Sequence, residues 1–212
     1  MPQKSTKSAP RKRGRPAGRP ENSDVRNKLL REGLIFLTEK GYTSAGVDEI
    51  LLSAQVPKGS FYYHFKNKAD FGLHLVDAYH LYFLRKLDRC LTNADLPYIQ
   101  RVQAFMDDAA AGMKRHGFQR GCLIGNLGQE MGVLPEAFRA RLIAVLEDWQ
   151  SRLATYLASA QADGTLPAHH DPHQLAVNFW IGWEGAVLRA KLERRAAPLT
   201  SFADFFMEHL RD

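Results

Sequence analysis

Cysteine is scarce in this chain. Its 212 residues include only Cys90 and Cys122, too few for a disulfide framework, so a reducing, cytoplasmic compartment is expected. No stretch approaches the roughly 18 consecutive apolar residues that a membrane span needs, and no membrane partner is expected. The basic N-terminus has no apolar run behind it, so a secretory signal is not expected either. Strand-like alternation persists nowhere, and no internal repeat is visible. Acidic residues are missing from residues 1–20, which carry Lys4, Lys7, Arg11, Lys12, Arg13, Arg15 and Arg19. The formal net charge is +6 for the whole chain and +7 for this arm, which leaves −1 for everything after it. The body is nearly neutral, and the positive excess sits in one segment.

Such a segment is expected to be a disordered arm that meets a polyanion. A solubilising leader is the plainer alternative. Its densest part, RKRGRPAGRP, spaces arginines with Gly and Pro, a composition that forms no helix but can run extended along a narrow groove. Arg13-Gly14-Arg15-Pro16 resembles an AT-hook, in which both arginines enter an A·T-rich minor groove.

What is present after Pro20 is helix. Asn22, Ser23 or Asp24 can cap a first helix running to about Lys40, with Val25, Leu29, Leu30, Leu34, Phe36 and Leu37 as its apolar stripe and Gly41 as its stop. Short helices follow at about Val47–Ala54 and Pro57–His64, with only Gln55-Val56 between them. Two short helices on a tight turn, after a longer one that supplies their core, make a helix-turn-helix. Further helical patterns cover about 67–90, 96–116, 122–131, 135–162, 172–194 and 201–210, separated by Gly-, Pro- or Asn-bearing breaks such as GFQRG and AAPLT. The expected fold is all-α with about nine helices. A basic arm (1–20) precedes a three-helix helix-turn-helix head (21–67) and a larger helical domain (68–212).

The stretch SAQVPKGSFYYHFKNKADF, residues 53–71, interleaves rings with lysines. Pro57 suits a first helical position, and Val56 before it is pushed to an extended conformation. Phe61 and Phe65 are four apart and share a face, so they are expected to pin the short helix to the first one. Lys58, Gly59, Ser60, Tyr62, Tyr63 and His64 are left facing outward. Lys58 and Ser60 stand at the helix N-terminus, the end that enters a major groove, and can address base edges. Gly59 permits close approach. Tyr62, Tyr63, His64, Lys66 and Lys68 offer donors to phosphates.

GYTSAGVDEILLSAQVPKGSFYYHFKNKADF resembles the DNA-binding signature of the TetR family of bacterial repressors over about Asp24 to Phe71. The resemblance implies a homodimer on a near-palindromic double-stranded operator, released when a small-molecule effector binds the C-terminal domain. It implies no cofactor and no catalysis. Three departures stand out. The family's paired threonines fall at Ala45 and Gly46, so Thr43 or Ser44 would have to supply the missing hydroxyl. The turn glycine is Gln55. Pro57 stands where serine is common.

Within the C-terminal part, Gly182, Gly185, Ala186 and Ala190 lie among Phe179, Trp180 and Trp183, and Phe202, Phe205, Phe206 and Leu210 follow. Both stripes suit a self-complementary two-fold interface, against the plainer alternative of an intramolecular core only. Polar groups on otherwise apolar helices are the effector-binding candidates: Tyr98, His116, Asn126, Gln129, Glu130, and Trp183 with Glu184. Cys122, near a helix start and beside Arg120, is placed for a lowered thiol pKa, against the alternative of a small buried side chain. His169, His170 and His173 suggest a metal site less than they suggest the flank of a capping box, Asp171-Pro172-His173-Gln174. Two rival functions remain: an architectural DNA-binding protein without an effector, and a helical hydrolase, for which no nucleophile–base spacing or metal motif stands out.

Overall fold

The computed structural model describes residues 20–211. The basic arm, with Arg13 and Arg15, lies outside them. Among the described residues the chain forms nine helices and no strand. The head consists of α1 (Pro20–Lys40), α2 (Val47–Ala54) and α3 (Lys58–His64). Six helices follow: α4 (Lys68–Leu91), α5 (Tyr98–Arg115), α6 (Leu123–Gln129), α7 (Glu136–Ala162), α8 (Pro172–Glu193) and α9 (Ala197–His209).

Proline explains where the sequence reading misplaced helix starts. α1 already begins at Pro20, so Asn22, Ser23 and Asp24 lie inside it rather than capping it. α9 begins at Ala197, four residues earlier than expected, because Pro198 sits in its first turn, where the missing N–H costs nothing. AAPLT therefore starts a helix instead of separating two. At α3 the shift is reversed. Pro57, with φ −62° and ψ 144°, is the cap and Lys58 the first helical residue.

The head is held by the rings that the sequence assigned to it. Phe61 and Phe65 are each 1% exposed, and Phe71 from α4 meets them at 5.2 and 4.7 Å between ring centroids. Leu29, Leu37 and Ile50 complete this core. α2 and α3 pack on α1 and on each other. Between them Gln55 adopts the left-handed conformation at φ 54°, strain that the glycine usual in this turn avoids.

α4 carries the head onto the larger domain. Asn67 caps it by accepting from the Asp70 amide at 2.9 Å. Gly72 then lets it pass close to Phe138 of α7 and Tyr42 of the head, since an added Cβ would lie 2.7 Å from the Phe138 ring. Further along, Phe83 stacks on Trp149 of α7 at 4.1 Å, with Phe105, Phe179 and Trp180 around them.

α8 packs between α7 and α9. Ala186 and Ala190 are buried within the chain, and Gly182 is filled by the Phe202 ring. Gly185, by contrast, has open space beside it. Of the α9 stripe, Phe206 and Leu210 are buried, and Phe205 faces solvent at 65% exposure. Ile181, Leu188 and Leu192 on α8 are exposed, while Phe179, Trp180 and Trp183 are buried within the chain, so a largely different set of residues forms the unpartnered face from the one the sequence suggested. Asp171 caps α8 by accepting from the His173 and Gln174 amides. Gln174 does not complete the box, because its side chain donates to Asn178 instead. No group of His, Cys, Asp or Glu among the described residues is arranged to hold a metal ion.

Candidate functional site

Two surfaces carry the chemistry. The first is the outer face of α2 and α3. Lys58, at the start of α3, is exposed and pairs with Asp48 of α2 at 2.9 Å, a hydrogen bond that raises its pKa. Beside it, Gly59 has nothing within 4 Å of where a Cβ would stand, so the backbone there is open to an approaching duplex. Tyr62 and Tyr63 are 57% and 68% exposed, large rings displayed to solvent next to two that are buried. Ser60 and His64 are half-buried, and Ser44 is exposed. Burial, and then the Arg26 charge, lower the His64 pKa, so at neutral pH its imidazole is uncharged.

Two residues expected on this face are turned elsewhere. Lys68 places its ammonium 4.5 Å from the Tyr42 ring centroid, and burial lowers its pKa against the opposing pull of Glu130. Thr43 is exposed, yet its hydroxyl donates to Glu130 at 2.6 Å. Both point back toward the larger domain. Ala45, where the family pattern carries a threonine, is fully buried.

The second surface is a cavity of about 490 Å³, open to solvent, among α1, α4, α5, the α5–α6 loop and α8. Leu34, Ile35, Phe83, Met113, Trp183 and Val187 give it an apolar wall. Tyr79, Cys122 and Glu184 form a polar cluster in it. Burial pushes the Glu184 carboxyl up to about 7, against a hydrogen bond from Cys122 that pulls it down. Burial, followed by the neighbouring Glu184, pushes the Cys122 thiol well above its ordinary value, and burial does the same for the Tyr79 hydroxyl. This corrects the expectation of a lowered thiol pKa. Cys122 is buried, and Arg120 is committed to Glu39 at 2.8 Å. Near neutral pH the cluster is therefore rich in donors.

The remaining polar wall is basic: Arg31, Lys86, Arg115, Arg120 and His116. Lys86 is paired with Asp108 at 3.0 Å and Arg120 with Glu39. Arg31 has only a 3.5 Å contact with its chain neighbour Glu32. Among the described residues Arg115 pairs with no acid. A cavity with an apolar body, a donor cluster and two under-compensated guanidinium groups suits a small organic anion.

Of the effector-binding candidates, His116 and Trp183 line this cavity. Tyr98 does not. Its ring packs on Tyr156, whose hydroxyl donates to the Tyr98 carbonyl at 2.8 Å. Asn126 donates to the Leu37 and Thr38 carbonyls at the end of α1, and Glu130 accepts from the α1–α2 turn. Both are spent on the junction with the head. Sequence reasoning missed Arg31 and Tyr79. A signal for Arg31 existed: Arg31, Leu34, Ile35 and Thr38 follow helical spacing on one face of α1, which shares Leu34 with the stripe read from the sequence.

A short exposed helix on a tight turn, carried on a helical domain with a cavity beside it, defines a helix-turn-helix regulator of transcription. The comparisons agree. Residues 29–74 match the family described as bacterial regulatory proteins, tetR family, and residues 99–206 match the tetracyclin repressor-like C-terminal domain. The transcriptional regulator AcuR of Cereibacter sphaeroides is 58% identical over 204 residues, 95% of this chain and 93% of the relative. The transcriptional repressor DhaR of a Mycobacterium species is 33% identical over 186 residues, covering 88% and 92%. The crystal structure of a TetR regulatory protein from Rhodobacter sphaeroides superposes with a TM-score of 0.85 at 59% identity, covering 87% of this chain and 98% of that one. The chain belongs to the TetR family of transcriptional regulators. None of its described helices is long and apolar enough to cross a membrane.

Proposed function

We propose that this regulator represses transcription as a homodimer. Two α3 helices would enter successive major grooves of a near-palindromic operator, and a small molecule in the 490 Å³ cavity would release it. The observation that carries the reading is the wall of that cavity. Arg31, Leu34, Ile35 and Thr38 belong to α1, the same helix that buries Phe61 and Phe65 of the head. A ligand there touches the scaffold of the reading helices directly.

The dimer reading is supported by the exposed apolar set Ile181, Leu188, Leu192 and Phe205 on α8 and α9, a patch that solvent disfavours and that a second copy of the same face would cover. Lys58, Ser60, Tyr62, Tyr63 and His64 are our assignments for operator contact, with Ser44 from the turn before α2 and the arm's Arg13 and Arg15 in the adjacent minor groove. For the effector we infer acrylate or a related unsaturated carboxylate. The overall likeness of this chain to the acrylate-responsive repressor of dimethylsulfoniopropionate breakdown suggests it, and the guanidinium groups of Arg31 and Arg115 give a carboxylate its counter-charge. Such a protein acts in the bacterial cytoplasm.

Selecting an operator from random DNA and then following its fluorescence anisotropy during an acrylate titration tests the reading. Propionate serves as the saturated control. Loss of anisotropy with acrylate, at a stoichiometry of one dimer per operator, is the expected result. Operator binding indifferent to acrylate and to other small carboxylates would leave the architectural DNA-binding protein as the better account.

A further inference from the structure

The junction between the head and the larger domain is built from charged and amide side chains, and one of them stands out. Glu130, the residue that ends α6, accepts from the Tyr42 amide at 2.7 Å, the Thr43 amide at 2.8 Å and the Thr43 hydroxyl at 2.6 Å. These amides lie in the turn between α1 and α2. Gly41, at φ 82°, opens that turn, and a Cβ there would collide with the Glu130 carboxylate. Burial raises the Glu130 pKa, but the bonds from Thr43 and Tyr42 and the Lys68 charge outweigh it and hold the carboxyl below its usual range. At neutral pH the group is fully ionised.

The end of α1 is gripped from the same side. Helices leave their last carbonyls without internal partners. Here the Thr38 carbonyl accepts from the Gly121 amide at 3.3 Å, Asn126 at 2.9 Å and the Lys191 ammonium at 2.8 Å. Residues of α6 and α8 thus hold both the end of α1 and the turn that follows it.

We propose that Glu130 is a positioning residue for DNA recognition: its carboxylate fixes the α1–α2 turn, and so sets the angle at which α2 and α3 are presented to the operator. This rests on the regulator reading above. α2 and α3 pack on α1 and on each other, so their orientation toward the dimer is set through α1 and this turn. The residue that caps α6 at its other end is Cys122, in the wall of the effector cavity. One short helix therefore ties the cavity to the clamp. The clamp also reassigns Thr43. A hydroxyl donating to Glu130 serves DNA binding by holding the turn, not by reaching a phosphate.

The test uses the full-length protein, the selected operator and four variants: Glu130→Ala, Glu130→Gln, Thr43→Val, and Glu130→Ala combined with Thr43→Val. Glu130→Ala is expected to weaken operator binding at least about tenfold, since it removes three hydrogen bonds to a charged acceptor. Glu130→Gln, which keeps the shape and one acceptor, should fall between it and the wild type, and it carries the test if the alanine variant does not fold. Hydrogen exchange should show protection lost at the Tyr42 and Thr43 amides and unchanged in α4 to α9. Thr43→Val should weaken binding about two- to fivefold alone and have no further effect in the Glu130→Ala protein, the non-additivity expected of partners in one bond. Equal cost of Thr43→Val in both backgrounds would assign its hydroxyl to DNA and overturn the proposal. So would operator binding by both Glu130 variants within twofold of wild type. If the wild type itself selects no operator, the regulator reading falls and the clamp's role with it, a result distinct from failure of the variants alone.

Discussion

Replacing Glu184 by glutamine should stabilise the protein at alkaline pH and leave it nearly unchanged in acid. The folded chain holds the Glu184 proton up to a pKa of about 7, against 4.5 for the same group when exposed. Below pH 4.5 both states carry the proton, and the group contributes nothing. As pH rises from 4.5 to 7 the unfolded chain ionises first, so stability falls by up to about 1.4 kcal/mol per pH unit. Above pH 7 the loss is complete, with a ceiling of about 3 kcal/mol. Because Glu184 lines a cavity that water can enter, and the residue is only half-buried, we expect about 2 kcal/mol. For a chain of this length that corresponds to a rise in Tm of about 4–8 °C at pH 8. The assay is thermal unfolding of wild type and Glu184→Gln at pH 5 and pH 8, at one protein concentration so that association does not shift the midpoint. Other titrating groups contribute alike to both proteins, so the difference of differences belongs to Glu184. An offset of the same size at both pH values would refute the reasoning.

Phe65→Ala should cost the head about 3–5 kcal/mol through the cavity it leaves against Phe61 and Phe71, abolishing operator binding while size-exclusion chromatography still shows the assembly of wild type. In Gly72→Ala two effects compete. Helix propensity gains about 1 kcal/mol, but the new methyl meets the Phe138 and Tyr42 rings, and overpacking of that kind costs about 1–3 kcal/mol. A net loss of about 1 kcal/mol in a urea melt is the expected result, and a gain would show that α4 can move away freely. Removing residues 1–20 should weaken operator binding and flatten the line of log Kd against log salt concentration; an unchanged slope would mean that the arm touches no phosphates.

The head was readable because its evidence is local. VDEILLSA gave α2 its observed bounds, and the spacing of Phe61 and Phe65 placed both in the core. Gln55 in the glycine position of the turn announced the strained φ that the fold contains. The helix starts failed where proline has two meanings. Pro198 sits in the first turn of α9, and nothing in the neighbouring residues separates that use from a break. The cavity was legible only in part, because convergence is a tertiary property. His116 and Trp183 reach it, while Asn126 and Glu130, equally polar on equally apolar helices, serve the junction instead. Cys122 shows the same limit in its electrostatics. Arg120 beside it in sequence suggested a stabilised thiolate, but Arg120 turns to Glu39 and the thiol lies against Glu184.

On the function proposed above, the double use of α1 shortens the path that regulation has to take. One of its faces buries Leu29 and Leu37 with the rings of α3, and another supplies Arg31, Leu34, Ile35 and Thr38 to the cavity. No relay of distant side chains is needed between ligand and reading helix, because both lean on the same cylinder. The carbonyl of Thr38, a cavity residue, is also the one that Asn126 and Lys191 grip. A ligand that pushes on this part of α1 therefore changes the clamp and the head together. It shifts the equilibrium only by the difference between its affinities for the two arrangements. By reciprocity the operator must weaken ligand binding by the same factor, commonly about 5- to 150-fold. A molecule that merely occupies the cavity, bearing equally on α1 in both arrangements, would bind without releasing DNA. On the function proposed above, induction is thus a matter of which ligand reaches α1, more than of which ligand binds most tightly.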